Sequence, residues 1–508
     1  MTAAPDEIYR HPRGVRASNA QDLPNGAEQS ILSGARTMSE AQDLFAHLRQ
    51  SADADPAAVD AIEKLVTDGA DRQLCRVNPL AFATQNGLDE ERVVAAFLHA
   101  ARIGIFDISW NVLCPGCGGV LDTNTTLKTV QREEYTCALC ATGYSPTLDE
   151  MVEVTFTVSP RARKIEAHNP HQLPPMEYFR QIYWGSGVDL PDENYEAIVD
   201  SFVLEDVELM PGEKAVLSIQ LPPEFIIVFE PVTHSAQFLD VSGEPTRERQ
   251  SLSLVFDRDH VHSQTLEMRP GPLRIALESR AETRVLPTVF RASEALHGLL
   301  GRRRPFLTAK RLLTNQTFRD LYRTDTLDVD QRLKITSLTF LFTDLRGSTE
   351  LYERVGDLTA FDLVRAHFQV LHEIVAAEAG AVVKTIGDAV MATFPTPDRA
   401  IAAALRMREA MRALNDKSGR EDLLLKIGVH AGPCIAVSMN ERQDYFGQTV
   451  NIASRVQNLA NAQSIFVTGA VVDDNLTADL LHRKELTPVP HGVSLRGIER
   501  EIPVYTIP

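Results

Sequence analysis

Four of the six cysteines in this 508-residue chain fall in two short pairs, Cys114-Pro-Gly-Cys117 and Cys137-Ala-Leu-Cys140, separated by nineteen residues. Each C-x2-C pair needs a tight turn that presents both thiols to one point. Two such pairs at this spacing match the four thiolates of a closed tetrahedral Zn²⁺ ribbon. Unligated or redox-active cysteines are the alternative. Gly116, Gly118 and Gly119 allow the first pair to turn sharply. Four sulfur ligands leave no position for water, so a structural ion is expected. Six cysteines are too few to suggest a disulfide scaffold in so long a chain.

A length of 508 residues exceeds one core and suggests roughly three or four domains. Apolar content of 44% and charged content of 24% are ordinary for a globular chain. The net charge of -18 argues against broad affinity for nucleic acid or anionic membrane. The first residues have no apolar core of a secretory signal, and no apolar run reaches the ~18 residues of a membrane span. A cytoplasmic protein without a membrane partner is expected.

The pattern along the chain predicts a multidomain α+β protein. Residues 1–38 mix Pro, Gly, Asn, Gln and charge without periodicity and read as a mobile arm. Residues 39–110 turn helical, with Val59, Ile62 and Leu65, then Val93, Phe97 and Ala101, at helical spacing. Asp89 is placed to cap the second of these helices, and a winged-helix-like segment is one outcome. Residues 111–147 hold the cysteine ribbon. Residues 148–300 form a β-rich domain of short runs, among them 151–158, 215–221, 225–229, 251–256 and 273–277. Pro-Gly turns separate them, which suggests an antiparallel sandwich or barrel. Residues 301–334 read as a connector with a helix near 318–322. Its run Arg302-Arg-Arg304 is read as solvated.

From residue 335 to 508 strands and helices alternate more legibly. A strand at 338–342 ends at Asp344. An amphipathic helix follows, with Phe361, Val364, Phe368, Leu371 and Val375 on one face. Then come a hairpin (381–384 and 389–394) turning at Gly387-Asp388, a helix over 398–414 and a strand over 423–429. A shorter strand near 435–437, a helix over 448–460 and a strand at 465–467 complete the order. This is the order of an α/β sandwich with helices on one face of the sheet.

Six polar residues sit in three short segments of that region. Asp344 at a strand end and Asp388 at a hairpin turn are two carboxylates that repel unless a divalent cation joins them. Mg²⁺ takes one or two carboxylates together with phosphate oxygens. Lys384 and Asp444 offer one donor and one acceptor, the pair that the N1 and N6 edge of adenine requires. Asn451 and Arg455 lie i, i+4 on one helix face. There an amide can orient a ribose oxygen and a guanidinium can stabilise charge on a phosphoryl group. Taken singly, each residue is equally at home on an exposed strand, turn or helix face. Cys434 and His430 lack a nucleophilic partner pattern and read as structural.

The joint pattern resembles the class III nucleotidyl cyclases over residues 335–508. The resemblance implies a ferredoxin-like α/β sandwich in which Asp344 and Asp388 bind two Mg²⁺ or Mn²⁺ ions, Lys384 and Asp444 select adenine, and Asn451 and Arg455 stabilise the transition state. Arg496 resembles a basic residue near the triphosphate, with Arg500 as a competitor for that place. The resemblance also implies a homodimer with composite sites, one subunit giving Asp344 and Asp388 and the other giving Lys384, Asp444, Asn451 and Arg455. The implied reaction is attack of the ribose 3′ oxygen of ATP on its α-phosphate, giving 3′,5′-cyclic AMP and pyrophosphate. No side chain is an evident general base. The alternatives are a catalytically silent cyclase-fold sensor or dimerisation scaffold, and a guanylate cyclase. The N-terminal half resembles the regulatory modules of bacterial members, with an unknown ligand or protein as its partner. Nucleic acid is not an expected partner, because the ribbon lacks interleaved basic and aromatic residues.

Overall fold

The computed structural model describes residues 40–508 except 52–53, 131–132, 258–264, 323–332, 347–352, 419–423, 440–441, 462–463, 493–494, 496–497 and 499–500. The arm predicted over 1–38 lies outside the described residues. The chain divides into two compact units, one of residues 1–123, 132–145 and 155–306, the other of 124–131, 146–154 and 307–508. No helix among the described residues is long and apolar enough to cross a membrane.

After a helical stretch over 40–49, the first unit has helices Pro56–Asp68, Pro79–Asn86 and Glu90–Arg102. Asp89 caps the last of these as expected, its Oδ1 accepting from Arg92 N at 3.0 Å. Val93 and Phe97 are buried, and Phe97 packs against Phe82, Phe106 and Phe156. The run 151–158, read as part of the β-rich domain, instead joins a three-stranded sheet of order Val120–Asn124, Phe106–Leu113, Val152–Val158.

The later strands form two sheets, Gln250–Phe256, Gly271–Ser279 and Lys214–Leu221 in one, and five short strands in the other. They share one apolar core in which Ile226, Val228 and Leu239 meet Leu254, Phe256, Leu273 and Ile275. This is a sandwich, as the spacing of the runs suggested, but not a purely antiparallel one. Gln250–Phe256 runs parallel to Gly271–Ser279, and Thr265–Met268 parallel to Ser235–Val241. The basic run 302–304 is not merely solvated either. Arg303 Nη2 donates to Gly116 O at 2.7 Å, inside the first cysteine turn, and Arg304 Nε donates to Ser186 O at 2.8 Å.

In the second unit the elements in chain order are α1 (Ala309–Leu313), α2 (Gln316–Leu321), β1 (Leu333–Leu345), α3 (Asp357–Ala377), β2 (Ala381–Ile386), β3 (Ala389–Phe394), α4 (Pro397–Ser418), β4 (Leu425–Met439), β5 (Arg442–Phe446), α5 (Gln448–Leu459), β6 (Ile465–Thr468), α6 (Gly469–Val472), α7 (Asn475–Arg483), β7 (Val489–His491) and β8 (Val504–Ile507). The eight strands make one sheet of order β2-β3-β1-β4-β6-β8-β7, with β5 paired to β4. The connector is structured at α1 and α2, capped by Thr308 and Asn315, with Phe318 buried.

The helices cover both faces of the sheet, not one. Helices α3, α4 and α7 pack over Leu341, Ala392, Ile427, Val429, Ile465 and Ile507. Helix α5 lies on the opposite face, where Ile452 and Val456 meet Phe466 and Val504. The alternation of adjacent strand residues to opposite faces produces this split. Two glycines of β4 let α5 approach. A Cβ at Gly428 would stand 2.2 Å from Gln457 N, and one at Gly432 2.9 Å from Thr449 Oγ1.

Two further expectations change. The strands read at 423–429 and 435–437 are one continuous strand, β4, which passes through Gly432-Pro433. Pro433 falls where the β1–β4 register shifts between Ile335 and Leu338, so its missing N–H breaks no ladder bond. The freed Thr336 and Ser337 amides donate to the two oxygens of Asp149 at 2.7 and 3.2 Å. Phe361, assigned to the buried face of α3, is 59% exposed, while Ala360, His367 and Ile374 are buried.

Candidate active site

Strand β1 delivers Asp344 and the β2–β3 turn delivers Asp388. Thr343 pairs with Val390, so one step further along the ladder brings Asp344 beside the turn. Gly387 makes that turn with φ of +64°. The Asp344 carboxyl is held above the usual carboxylate range, chiefly by burial and next by the charge of Asp388. Lys426, paired with Asp344 across β4, pulls the other way from 3.7 Å. Asp388 Oδ2 is buried and makes no hydrogen bond among the described residues. A carboxyl whose ionisation is opposed by burial and by a neighbouring carboxylate, beside an Asp388 with an unsatisfied buried oxygen, fits the donor set of a divalent cation. Beneath them His367 is pushed down to about 4 by burial and is neutral near pH 7.

Lys384 and Asp444 come together. The Lys384 ammonium donates to Asp444 Oδ2 at 2.5 Å, with the lysine exposed and the aspartate half-buried. Asp444 Oδ1 also accepts from Tyr445 N at 2.8 Å. Lys384 follows a register shift between Val382 and Lys384 in the β2–β3 ladder.

Asn451 and Arg455 share one side of α5. Asn451 is exposed and Arg455 half-buried, while Ile452, Ala453, Val456 and Gln457 turn inward. Arg496 and Arg500 lie outside the described residues. His430 is buried with Nδ1 2.7 Å from Thr468 Oγ1, and burial pushes the Cys434 thiol up to about 12. Both are structural in surroundings. Lys426, Arg319 and Gln316 escaped the sequence reading, because each reaches its neighbours through register or tertiary packing and carries no local motif. Exposed apolar side chains flank the Lys384–Asp444 pair in sequence, Ile386 at 53% and Phe446 at 65% exposure.

In the first unit the four cysteines converge, all their Sγ atoms within 4.8 Å of one another. Cys114 and Cys140 Sγ are 3.6 Å apart, Cys117 and Cys137 Sγ 3.7 Å. Sulfurs at the corners of a tetrahedron around Zn²⁺, each ~2.3 Å from the metal, stand about 3.8 Å apart, so the donor set fits. Backbone amides of Cys117 and Gly119 donate to Cys114 and Cys117 Sγ at 3.5 and 3.4 Å. Gly118, with φ of +78°, completes the turn. Tyr183, Trp184, Phe229 and Phe238 enclose the cluster in an apolar core.

Residues 331–502 match the adenylate and guanylate cyclase catalytic domain, so the second unit carries a class III nucleotidyl cyclase domain. Residues 38–320, more than half of the chain, match a family of unknown function (DUF5939), and the chain belongs to that family. Among curated relatives, an adenylate cyclase of Anabaena cylindrica is 29% identical over 185 residues, covering 34% of this chain and 36% of the relative. Adenylate cyclase 2 of Rhizobium meliloti is 31% identical, over 28% of this chain and 41% of the relative. The chain therefore spans less than half the length of either. The crystal structure of the adenylyl cyclase CyaB from P. aeruginosa is 23% identical, covering 35% of this chain and 96% of that one, with a TM-score of 0.31.

Proposed function

We propose that this chain is an adenylate cyclase that converts ATP to 3′,5′-cyclic AMP and pyrophosphate, acts as a homodimer, and is regulated by its N-terminal half. The observation that carries this reading is the Lys384–Asp444 pair, 2.5 Å apart, with Lys384 on the strand that leads into Asp388 and Asp444 on β5. A cation and a carboxylate held together, with the lysine exposed, offer the donor and acceptor that the adenine edge needs. Guanine presents O6 and N1–H, which reverses that order.

Asp344 and Asp388 would hold two Mg²⁺ or Mn²⁺ ions, which when bound neutralise the triphosphate and acidify the ribose hydroxyl. Asn451 orients the ribose, and Arg455 offsets charge on the α-phosphoryl oxygens as the 3′ oxygen bonds to phosphorus. The bond from that phosphorus to the bridging oxygen breaks, pyrophosphate leaves with the electron pair, and the hydroxyl proton passes to solvent. The exposed Ile386 and Phe446 supply apolar surface next to Lys384 and Asp444, which supports a second subunit covering the pair. In that dimer Asp344 and Asp388 of one subunit face Lys384, Asp444, Asn451 and Arg455 of the other. In the first unit Cys114, Cys117, Cys137 and Cys140 would hold a structural Zn²⁺.

The test incubates the purified chain with ATP or GTP and Mn²⁺ and quantifies cyclic nucleotide and pyrophosphate. Cyclic AMP, lost in Asp344→Ala, is the expected result. Cyclic GTP-derived product in preference would reassign the base, and ATP binding without any product would leave a silent scaffold.

A further inference from the structure

Lys384 and Asp444 stand on strands that are not paired with each other. β2 pairs with β3, and β5 pairs with β4, so no ladder between β2 and β5 fixes the distance between the two side chains. A base-reading pair selects by the spacing of its donor and acceptor, and something must set that spacing. Helix α2 of the connector touches both strands at the residues just before the pair. Arg319 Nη2 donates to Gln443 O at 2.9 Å and to Val383 O at 3.4 Å. One guanidinium thus joins the peptide preceding Asp444 to the peptide preceding Lys384.

The surrounding contacts make this a built arrangement. Gln316 Oε1 accepts from Val382 N at 2.8 Å, at the register shift that turns β2 toward Lys384. Gln316 is itself held by Asp320, its Nε2 lying 3.2 Å from both carboxylate oxygens. On the β5 side the buried Tyr445 hydroxyl donates to Leu313 O at 3.3 Å and accepts from Gln443 Nε2 at 2.7 Å. Arg319 is half-buried and Phe318 fully buried, so the donor is carried on a rigid turn of helix. A guanidinium is planar, presents several donors in a fixed fork and stays charged, which suits it to bridging two carbonyls.

We propose that Arg319 is a positioning residue for base selection, holding the strands of Lys384 and Asp444 at the separation that reads adenine, with Gln316 fixing the β2 side. The inference rests on the adenine-reading role given above to that pair. It makes α2 part of the specificity apparatus while leaving it outside contact with the nucleotide.

The test compares the full-length chain with Arg319→Met, which keeps the length and apolar stem but removes every donor, and with Arg319→Lys, which keeps the charge and one flexible donor. Two readouts are taken. The first is kcat/KM for ATP and for GTP with Mn²⁺. The second is amide hydrogen exchange, by mass spectrometry, over 380–388 and 440–448. The expected result for Arg319→Met is faster exchange in both segments and at least about a tenfold fall in the ATP/GTP ratio of kcat/KM, carried mainly by KM for ATP. Arg319→Lys should fall between, and it serves alone if the methionine variant does not fold. An unchanged ATP/GTP ratio, or equal losses with both nucleotides, overturns the positioning role. If the parent chain cyclises neither nucleotide, the adenylate cyclase reading fails by itself. Exchange then decides the clamp, and unaltered exchange in both segments overturns it.

Discussion

The cysteine cluster and the candidate active site are both polar sites, yet they are built in opposite ways. The four thiols lie within 4.8 Å of one another and sit in an aromatic core, so their donor set is complete in one chain. The six catalytic candidates are spread over β1, β2, the β2–β3 turn, β5 and α5, with Lys384 and Asn451 exposed and apolar Ile386 and Phe446 open beside them. A closed site of sulfur donors stabilises a fold. The open one, on the function proposed for it, is complete only with its ions, its substrate and a second subunit.

Removing a thiol is the largest disturbance this contrast predicts. Cys137→Ser should abolish zinc binding, measured by elemental analysis, and destabilise the first unit by more than about 4 kcal/mol in denaturant unfolding. Stoichiometric zinc in the variant, or an unchanged unfolding midpoint, would break the closed-site half of the comparison. Asp344→Ala should lower cyclase turnover by about 100-fold or more while leaving the circular dichroism spectrum intact. Unchanged kinetics would remove Asp344 from the site.

Base selection comes next. Lys384→Glu replaces the donor by a second carboxylate beside Asp444 and should cut the ATP/GTP preference by about tenfold or more. The smallest expected effect concerns Asp344→Asn in the ion-free protein. The Asp344 carboxyl is raised in the folded state, so its ionisation disfavours folding once the pH exceeds the ordinary carboxylate range. The variant should therefore melt slightly higher than the parent at pH 7. That gain should vanish when the pH falls below the ordinary carboxylate value, where both states are protonated. Mn²⁺ should raise the melting point of the parent more than that of the variant. A variant that melts lower at pH 7 would contradict the carboxylate conflict.

Much of this was legible because the chemistry is local. The cysteine pairs, the Gly387-Asp388 turn and the Asn451/Arg455 spacing are short-range patterns, and the structure brings the cysteines together and Lys384 to Asp444. What the sequence hid depends on partners far along the chain. Gly432-Pro433 reads as a break, yet β4 runs through it because the facing register shift and the Asp149 carboxylate absorb the irregularity. Phe361 has core spacing and is nonetheless exposed, since helical periodicity marks an apolar face without saying what covers it. The placement of α5 opposite α3 and α4 follows from strand alternation and two glycines rather than from the order of elements. Arg319 lies in a stretch read as connector, and its role appears only when the carbonyls it meets are known.

The central claim is that the cyclase site is incomplete in one chain and completed by another. Complementation tests it most directly. Asp344→Ala and Arg455→Ala are purified separately, mixed under conditions that allow subunit exchange, and assayed for cyclic AMP from ATP and Mn²⁺. Each alone should be inactive, and the mixture should recover about a quarter of parental activity, since half of the dimers are mixed and each of those has one intact site of two. A mixture that stays silent while the parent chain is active would contradict the composite site.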